Sequence, residues 1–263
     1  MNFRLIFPTN AARRYIRYFW ILDERSAEPA DKKFKIVADV VPGLIFQQNP
    51  EAFLGENERG LPQVFLYGLA TQHSLLNAHG NFQNIGVSLQ PLALKAVFGV
   101  DAFEFADRHI DINDMLKTTI ADQLLNLTSI ELRVAAIEDF ILKLATRREA
   151  ENGTVIFATE QLQQGKQLKE LQTELNISDR SLERLFKQHI GIAPILYSRI
   201  CRFQNALESI RHLSFSSLTD IALQCNYFDQ SHFIRDFKRF AGATPTHFLQ
   251  KAYERVPNFP EWQ

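Results

Sequence analysis

One pattern occurs twice in the second half of the chain, and few folds accommodate it. Phe186-Lys187-x-x-x-Gly191-x-x-Pro194 recurs as Phe237-Lys238-x-x-x-Gly242-x-x-Pro245, a displacement of 51 residues (186 to 237) that holds for all four positions. Arg184 falls on Arg235, and apolar Leu182 on Phe233, with that same displacement. In each copy, apolar residues at helical spacing mark a buried face and basic residues lie elsewhere on the same turns. A glycine follows, able to take the left-handed conformation that ends a helix. Proline then opens the next helix. A short helix and a tight turn precede each copy. Two helix-turn-helix units joined by one long helix satisfy all of these signals, and such a unit sets its second helix into a DNA major groove.

The flanking helices are readable in order. Val155–Gln164 is one, and Gln167–Leu175 is a second with Leu168, Leu171 and Leu175 on one face. Asn176-Ile177 makes a tight turn, and Ser178 caps a helix over Asp179–His189 that buries Leu182, Leu185 and Phe186. Pro194 starts a longer helix to about Ile210, and Leu218–Cys225 is a short one. Asn226 tolerates a left-handed turn, and Asp229 caps the helix that buries Phe233, Phe237 and Phe240. A last helix runs from Pro245 to about Ala252.

The first half is different. Phe34–Val41, Gly43–Phe46, Val64–Tyr67 and Ile85–Leu89 read as strands, with turns at Pro42-Gly43, Asn49-Pro50 and Gly60-Leu61-Pro62. Arg13–Ile21 reads as a helix or a helix-to-strand element whose apolar face is Tyr15, Ile16, Phe19 and Trp20. Short strands with frequent turns suggest a small barrel or sandwich. From Pro91 the period becomes helical: Pro91–Phe98 up to Gly99, a turn at Asp111–Leu116, and amphipathic helices over Thr118–Leu127 and Ile130–Thr146. In the last of these, Leu132, Ala136, Phe140, Ile141 and Leu144 form the expected buried stripe. The charged stretch Arg147–Asn152 marks a boundary. The expected fold is therefore α+β in two domains. A β-rich, barrel-like domain with accessory helices covers residues 1–152. An all-α domain of two helix-turn-helix units joined by a long helix covers 153–252, and 253–263 form a tail.

Charge singles out the second domain. The net charge of -1 hides a split: residues 1–151 carry 16 basic and 19 acidic side chains, whereas 152–252 carry 12 and 9. The helical half is the one suited to phosphates. Cys201 and Cys225 sit in apolar helical contexts and read as buried thiols rather than a disulfide framework or metal cage. No apolar run reaches the roughly 18 residues a membrane span needs, and no leader pattern opens the chain, so the reading is a soluble, cytoplasmic protein with no membrane partner. There is no Gly-rich phosphate loop, no His-Glu-x-x-His and no nucleophile elbow. No catalytic residue, metal or cofactor is assigned, and the chain is not read as an enzyme. One rival is a metal-dependent barrel-type enzyme. Its ligands would have to come from His73, His79 and His109, but His73 and His79 have no close acidic partner. Another is a protein-interaction module whose helical half binds another protein.

Ile221-Ala222, then Asp229-Gln230-Ser231-His232-Phe233-x-Arg235-x-Phe237-Lys238, then Gly242-x-Thr244-Pro245 together resemble the signature of AraC/XylS-type transcription regulators over roughly residues 153–252. Asn226-Tyr227 stands where Gly-Phe is usual, and Gln172 where a small residue is. The string Tyr15-Ile16-Arg17-Tyr18-Phe19-Trp20 more loosely resembles the β-rich sensor-like domain ahead of this unit in many bacterial regulators. The resemblance implies a regulator of the activator kind that binds double-stranded DNA, works with RNA polymerase and lays two recognition helices in successive groove segments, about 34 Å apart. It places base reading at Arg180, Glu183 and Arg184 in the first recognition helix and at Gln230, Ser231, His232 and Arg235 in the second. Arg can grip guanine bidentately, Gln can read adenine, and Ser or His can bond several base edges. Lys187, Lys238 and Arg239 lie nearer the helix ends and suit phosphates. For the N-terminal domain the resemblance implies a small barrel that in many members binds a small-molecule effector or mediates a homodimer. No effector-binding residue is assigned.

Overall fold

The computed structural model describes residues 1–26, 31–55, 60–145, 153–211, 217–253 and 261–262. The boundary expected at 147–152 lies outside the described residues. The N-terminal part contributes β1 (Asn2–Ile6), β2 (Ile16–Glu24), β3 (Lys32–Ile36), β4 (Gly43–Gln47), β5 (Phe53–Leu54), β6 (Val64–Tyr67), β7 (Ser74–Ala78), β8 (Phe82–Leu89) and β9 (His109–Asp111). Helices α1 (Ile112–Met115), α2 (Ile120–Asn126) and α3 (Ile130–Ala145) follow. The C-terminal part is α4 (Gly153–Gln163), α5 (Leu168–Leu175), α6 (Asp179–His189), α7 (Pro194–Arg211), α8 (Leu218–Gln224), α9 (Gln230–Ala241) and α10 (Pro245–Lys251), then β10 (Ala252–Tyr253) and β11 (Glu261–Trp262).

Two antiparallel sheets form the expected β-rich, barrel-like domain, and the barrel is not closed. One runs β1-β2-β8-β4-β6-β9 and the other β10-β11-β3-β7-β5. Each face of the larger sheet has its own core. Phe19, Ile21, Leu44, Phe46, Ile85 and Val87 pack toward α2, α3 and the turn at 94–98. From the opposite face Leu22, Phe65 and Phe82 meet Phe34 and Phe53 of the smaller sheet, with Phe53 and Phe82 edge-on at 4.8 Å between ring centroids. Burial on both faces explains why every residue of β8 is buried.

Three readings of the N-terminal part change. Arg13–Ile21 is not helical: hydrogen-bonded turns are confined to Thr9–Ile16, and the aromatic and β-branched run from Ile16 pairs with both β1 and β8. Residues 37–41 leave the sheet that Phe34 was expected to carry through Val41, because β3 ends at Ile36. The buried stripe of α3 is rotated. It comprises Arg133, Val134, Ile137, Glu138, Ile141 and Ala145, and Leu132 is exposed. Two charged residues can occupy that stripe because their partners are built in. The Arg133 guanidinium donates to the carbonyls of Leu124 (2.9 Å) and Leu127 (3.0 Å) and to Gln83 Oε1 (2.7 Å). Glu138 accepts from the Thr9 amide at 3.1 Å and from its hydroxyl.

The individual helices α4 to α10 begin and end within a residue or two of the expected positions. Phe203 of α7 lies edge-on to Phe237 at 5.3 Å and beside Phe240 at 5.4 Å, which seats the long helix against α9. Cys201 and Cys225 are buried free thiols, as expected, and burial pushes both upward in pKa. The domains share a core: Val37, Ala38, Val40 and Leu69 pack into the helical cluster, and the Ala38 amide donates to the Phe240 carbonyl at 3.0 Å. Two tail residues are anchored. Glu261 pairs with Phe34 of β3, and the Trp262 ring lies between Phe248 and the Lys35 ammonium.

Candidate nucleic-acid interface

Each recognition helix is punctuated by side chains that the local sequence supplies. Asn176 and Asn226 adopt the left-handed conformation, at φ 49° and 58°, and so turn the chain sharply before α6 and α9. The Ser178 hydroxyl accepts from the Ser181 amide at 3.3 Å, and Asp229 accepts from the His232 amide at 2.6 Å. Both are N-caps that satisfy amides a helix start leaves open. Gly191 and Gly242, at φ 95° and 68°, end the two copies.

The apolar positions turn inward, and the candidate DNA residues turn out. Leu182 and Phe186 of α6 and Phe233, Phe237 and Phe240 of α9 are fully buried. Arg180, Glu183, Arg184 and Lys187 are exposed on α6, as are Gln230, Ser231, Arg235, Lys238 and Arg239 on α9. Among the described residues no ion pair engages Arg180, Arg184 or Arg235, so these arginines do not tie their helices to neighbouring carboxylates. His232 is half-buried, with its ring edge-on to Tyr227 and Nε2 3.8 Å from Asp236. The Gln230 amide oxygen accepts from the Thr219 hydroxyl at 3.1 Å, which orients it from α8.

The arginine that does tie α9 down was not singled out in the sequence. Asp236 is 1% exposed, and Arg199 of α7 grips it through Nη2 at 2.6 Å and Nε at 3.3 Å. This hydrogen-bonded carboxylate raises the Arg199 pKa. Such bidentate, charge-assisted pairs fix geometry as well as adding energy. The signal was present: Asp236 falls within the buried stripe of Phe233, Phe237 and Phe240, where a carboxylate needs a cation. Arg202 completes the brace, donating to the Asn226 carbonyl at 3.0 Å and lying 5.3 Å from the centre of the Tyr227 ring. Phe228 was also passed over. It stands 89% exposed between Tyr227 and the cap Asp229, at the mouth of α9.

The far ends of both helices dock on the N-terminal domain. A Cβ on Gly191 would overlap the Ala102 carbonyl, and one on Gly242 the His73 ring. His73 Nδ1 lies 3.2 Å from the Arg239 carbonyl, and the Lys187 ammonium sits 5.6 Å from the centre of the Phe103 ring. His189 is buried at this seam, where desolvation and then Lys95 lower its pKa, against a smaller opposing effect of Asp101. The two glycines of the repeat therefore serve the domain contact as well as the helix stop.

The other histidines do not converge. His79 pairs with Asp31 at 2.8 Å, and His109 lies edge-on to Phe65. Among the described residues no three His, Cys, Asp or Glu side chains gather as a metal site. No helix among them is long and apolar enough to cross a membrane.

Comparison with known proteins locates these features. Residues 171–251 match a family model described as a helix-turn-helix domain, and residues 4–111 match one described as a domain of unknown function, DUF6597. The HTH-type transcriptional activator RhaS of Escherichia fergusonii is 38% identical over 74 residues, 28% of this chain and 26% of that protein. RhaS of Klebsiella pneumoniae is 35% identical over 81 residues, 31% and 29% of the two chains. The matched segment thus spans less than a third of the length of these curated relatives. Among solved structures, ToxT from Vibrio cholerae aligns over 88% of this chain and 98% of its own at 12% identity, with a TM-score of 0.49. A probable AraC family transcriptional regulator from Rhodopseudomonas palustris aligns over 38% and 96% at 23% identity, with a TM-score of 0.34. Residues 171–251 thus match a helix-turn-helix domain, and over part of that stretch the chain is similar to the RhaS transcriptional activators.

Proposed function

We propose that the chain is a sequence-specific DNA-binding transcription regulator that inserts α6 and α9 into successive major-groove segments of one duplex. The observation that carries this reading is the pairing of two recognition helices whose N-terminal halves are capped, exposed and free of ion pairs at their arginines. A groove-entering helix reads bases with its N-terminal residues. Arg180, Glu183 and Arg184 take that role on α6, and Gln230, Ser231, His232 and Arg235 on α9. Lys187, Lys238 and Arg239 hold phosphates. Phe228 joins the base-facing set, because an exposed aromatic ring at that turn can lie against a thymine methyl. The N-terminal domain is the sensor, controlled by a small molecule. RNA polymerase and a second copy of the chain are the further partners that the family resemblance implies.

Selection of bound sequences from a random DNA library tests this. The expected result is one motif spanning two adjacent groove segments. Arg235→Ala then weakens binding by roughly 1–3 kcal/mol and relaxes base preference in one segment. If nothing is enriched even at low salt, the helical domain is instead a protein-interaction module. If Arg235→Ala leaves affinity and preference unchanged, the base-reading role of that residue is wrong.

A further inference from the structure

The two sheets enclose a cavity of about 480 Å³, within the range of small-molecule sites. Its floor is built with care for flat surfaces. Along β8, Ile85, Val87 and Leu89 point to the helical side, so Asn84, Gly86 and Ser88 point to the cavity. A Cβ on Gly86 would overlap the Trp20 indole, and one on Gly43 would overlap the Tyr67 ring. Glycines on two neighbouring strands thus let two aromatic rings lie down on the sheet. The Trp20 indole lies close enough to the Tyr67 phenol to oppose in small part the burial that raises its pKa, so the two rings are neighbours on one platform. Phe3, Phe53 and Phe65 line other parts of the wall.

One polar atom on this floor is unaccounted for. Asn84 is 4% exposed, and its Oδ1 has no hydrogen-bond partner. A buried acceptor left bare is costly, so its presence calls for an explanation. The adjacent amides are already engaged. Gln47 Nε2 donates to the carbonyls of Leu61 and Pro62, and Gln83 Oε1 accepts from Arg133. The basic side chains lining the cavity, His73, Arg108 and His109, all belong to exposed residues. A carboxylate on the platform would therefore lie unpaired in an apolar site, which is costly.

We infer that this cavity binds a flat aromatic ring compound that lies over Trp20 and Tyr67 and donates an N–H or O–H hydrogen bond to Asn84 Oδ1. This rests on the sensor reading of the N-terminal domain and adds to it the class of ligand. A long-chain acid does not fit, because it brings a carboxylate and no donor. A polyol does not fit, because most of its hydroxyls would face aromatic wall.

The test uses the full-length protein with indole, norharmane, their N-methylated forms and oleate, followed by calorimetric titration and thermal shift. The expected result is one-to-one binding of at least one N–H heteroaromatic, with its N-methyl form at least about tenfold weaker, because methylation removes the donor and leaves the acceptor stranded. Asn84→Leu, checked for an unchanged folded-state spectrum, loses that discrimination. Should Asn84→Leu fail to fold, Gly86→Ala, which forces the indole off the floor, loses binding in its place. No binding by any N–H compound, equal binding of the methylated forms, or tighter binding of oleate overturns the inference. DNA binding measured on the same samples separates the two readings. Intact DNA binding without ring-compound binding removes only the ligand class, whereas ring-compound binding without DNA binding removes only the regulator.

Discussion

Asp236 shows what one residue does for a recognition helix. The basic side chains on the outer face of α9, Arg235, Lys238 and Arg239, make no ion pair among the described residues, so they do not hold the helix in place through salt bridges. The Arg199–Asp236 pair does, from the inner face, together with the phenylalanine stripe. Removing one member of a buried pair leaves the other charge uncompensated, which costs roughly 3–5 kcal/mol when both are fully buried. Arg199 is half-buried and can turn to water, so Asp236→Ala is expected at the lower end, about 3 kcal/mol. Denaturant midpoints measure it, and Arg199→Met combined with Asp236→Ala should recover part of the loss. A double variant no more stable than Asp236→Ala alone would show that the pair is not what the carboxylate contributes.

At the scale of elements, the two helix stops can be separated from the domain contact they also make. Gly165 and Gly242 both have left-handed φ, 90° and 68°, but a Cβ on Gly165 meets only Asn226 at 3.8 Å, while one on Gly242 overlaps His73. Alanine at Gly165 should therefore cost only the conformational strain, roughly 1–3 kcal/mol. Alanine at Gly242 should cost more, and His73→Ala should remove the excess; unfolding measurements on the four variants decide it. The seam at α6 should be pH-sensitive. His189 has its pKa lowered from the usual 6.5. Above that value it is neutral whether folded or not, so it contributes no pH dependence. As pH falls below 6.5, the unfolded chain takes up the proton first and stability is lost. Melting temperatures between about pH 7.5 and 5.5 should decline, and His189→Gln should flatten the decline. An unchanged slope would assign it to other groups.

Across the whole molecule, the half that was legible is the half whose signals are local. Ser178, Asp229, Asn176, Asn226 and the paired glycines each act within a turn of their own position, so the helical domain could be read from spacing alone. The strands were legible only in part. The apolar runs of β4, β6 and the end of β8 could be read, but β1 and β7 are defined by partners at Asp23–Phe19 and Lys32–Ile36 and carry no such run. The stripe of α3 was misphased because Arg133 and Glu138 find partners 50 and 129 residues away. The cavity was invisible for the same reason, since its floor comes from four strands. The candidate DNA residues were legible because a basic face needs no partner within the chain.

Because the candidate phosphate-binding cations make no ion pair among the described residues, the last prediction is a whole-molecule one. The chain carries a net charge of -1, so under the proposed function its attraction to DNA would come from local phosphate contacts and not from overall charge. Each neutralised phosphate contributes about -0.9 to the slope of log affinity against log salt. Lys238→Ala should flatten that slope by about one unit, with no change in the selected motif. Lys187 starts above the Phe103 ring and must leave it to reach a phosphate, so Lys187→Ala should flatten the slope by the same amount but cost less affinity. Phe103→Ala, which frees the lysine, should tighten binding in the native chain and have no effect once Lys187 is alanine. Anisotropy titrations between about 50 and 200 mM salt measure all three. If Lys187→Ala leaves the slope unchanged, that lysine belongs to the domain seam, and the first recognition helix is held on DNA by Arg180 and Arg184 alone.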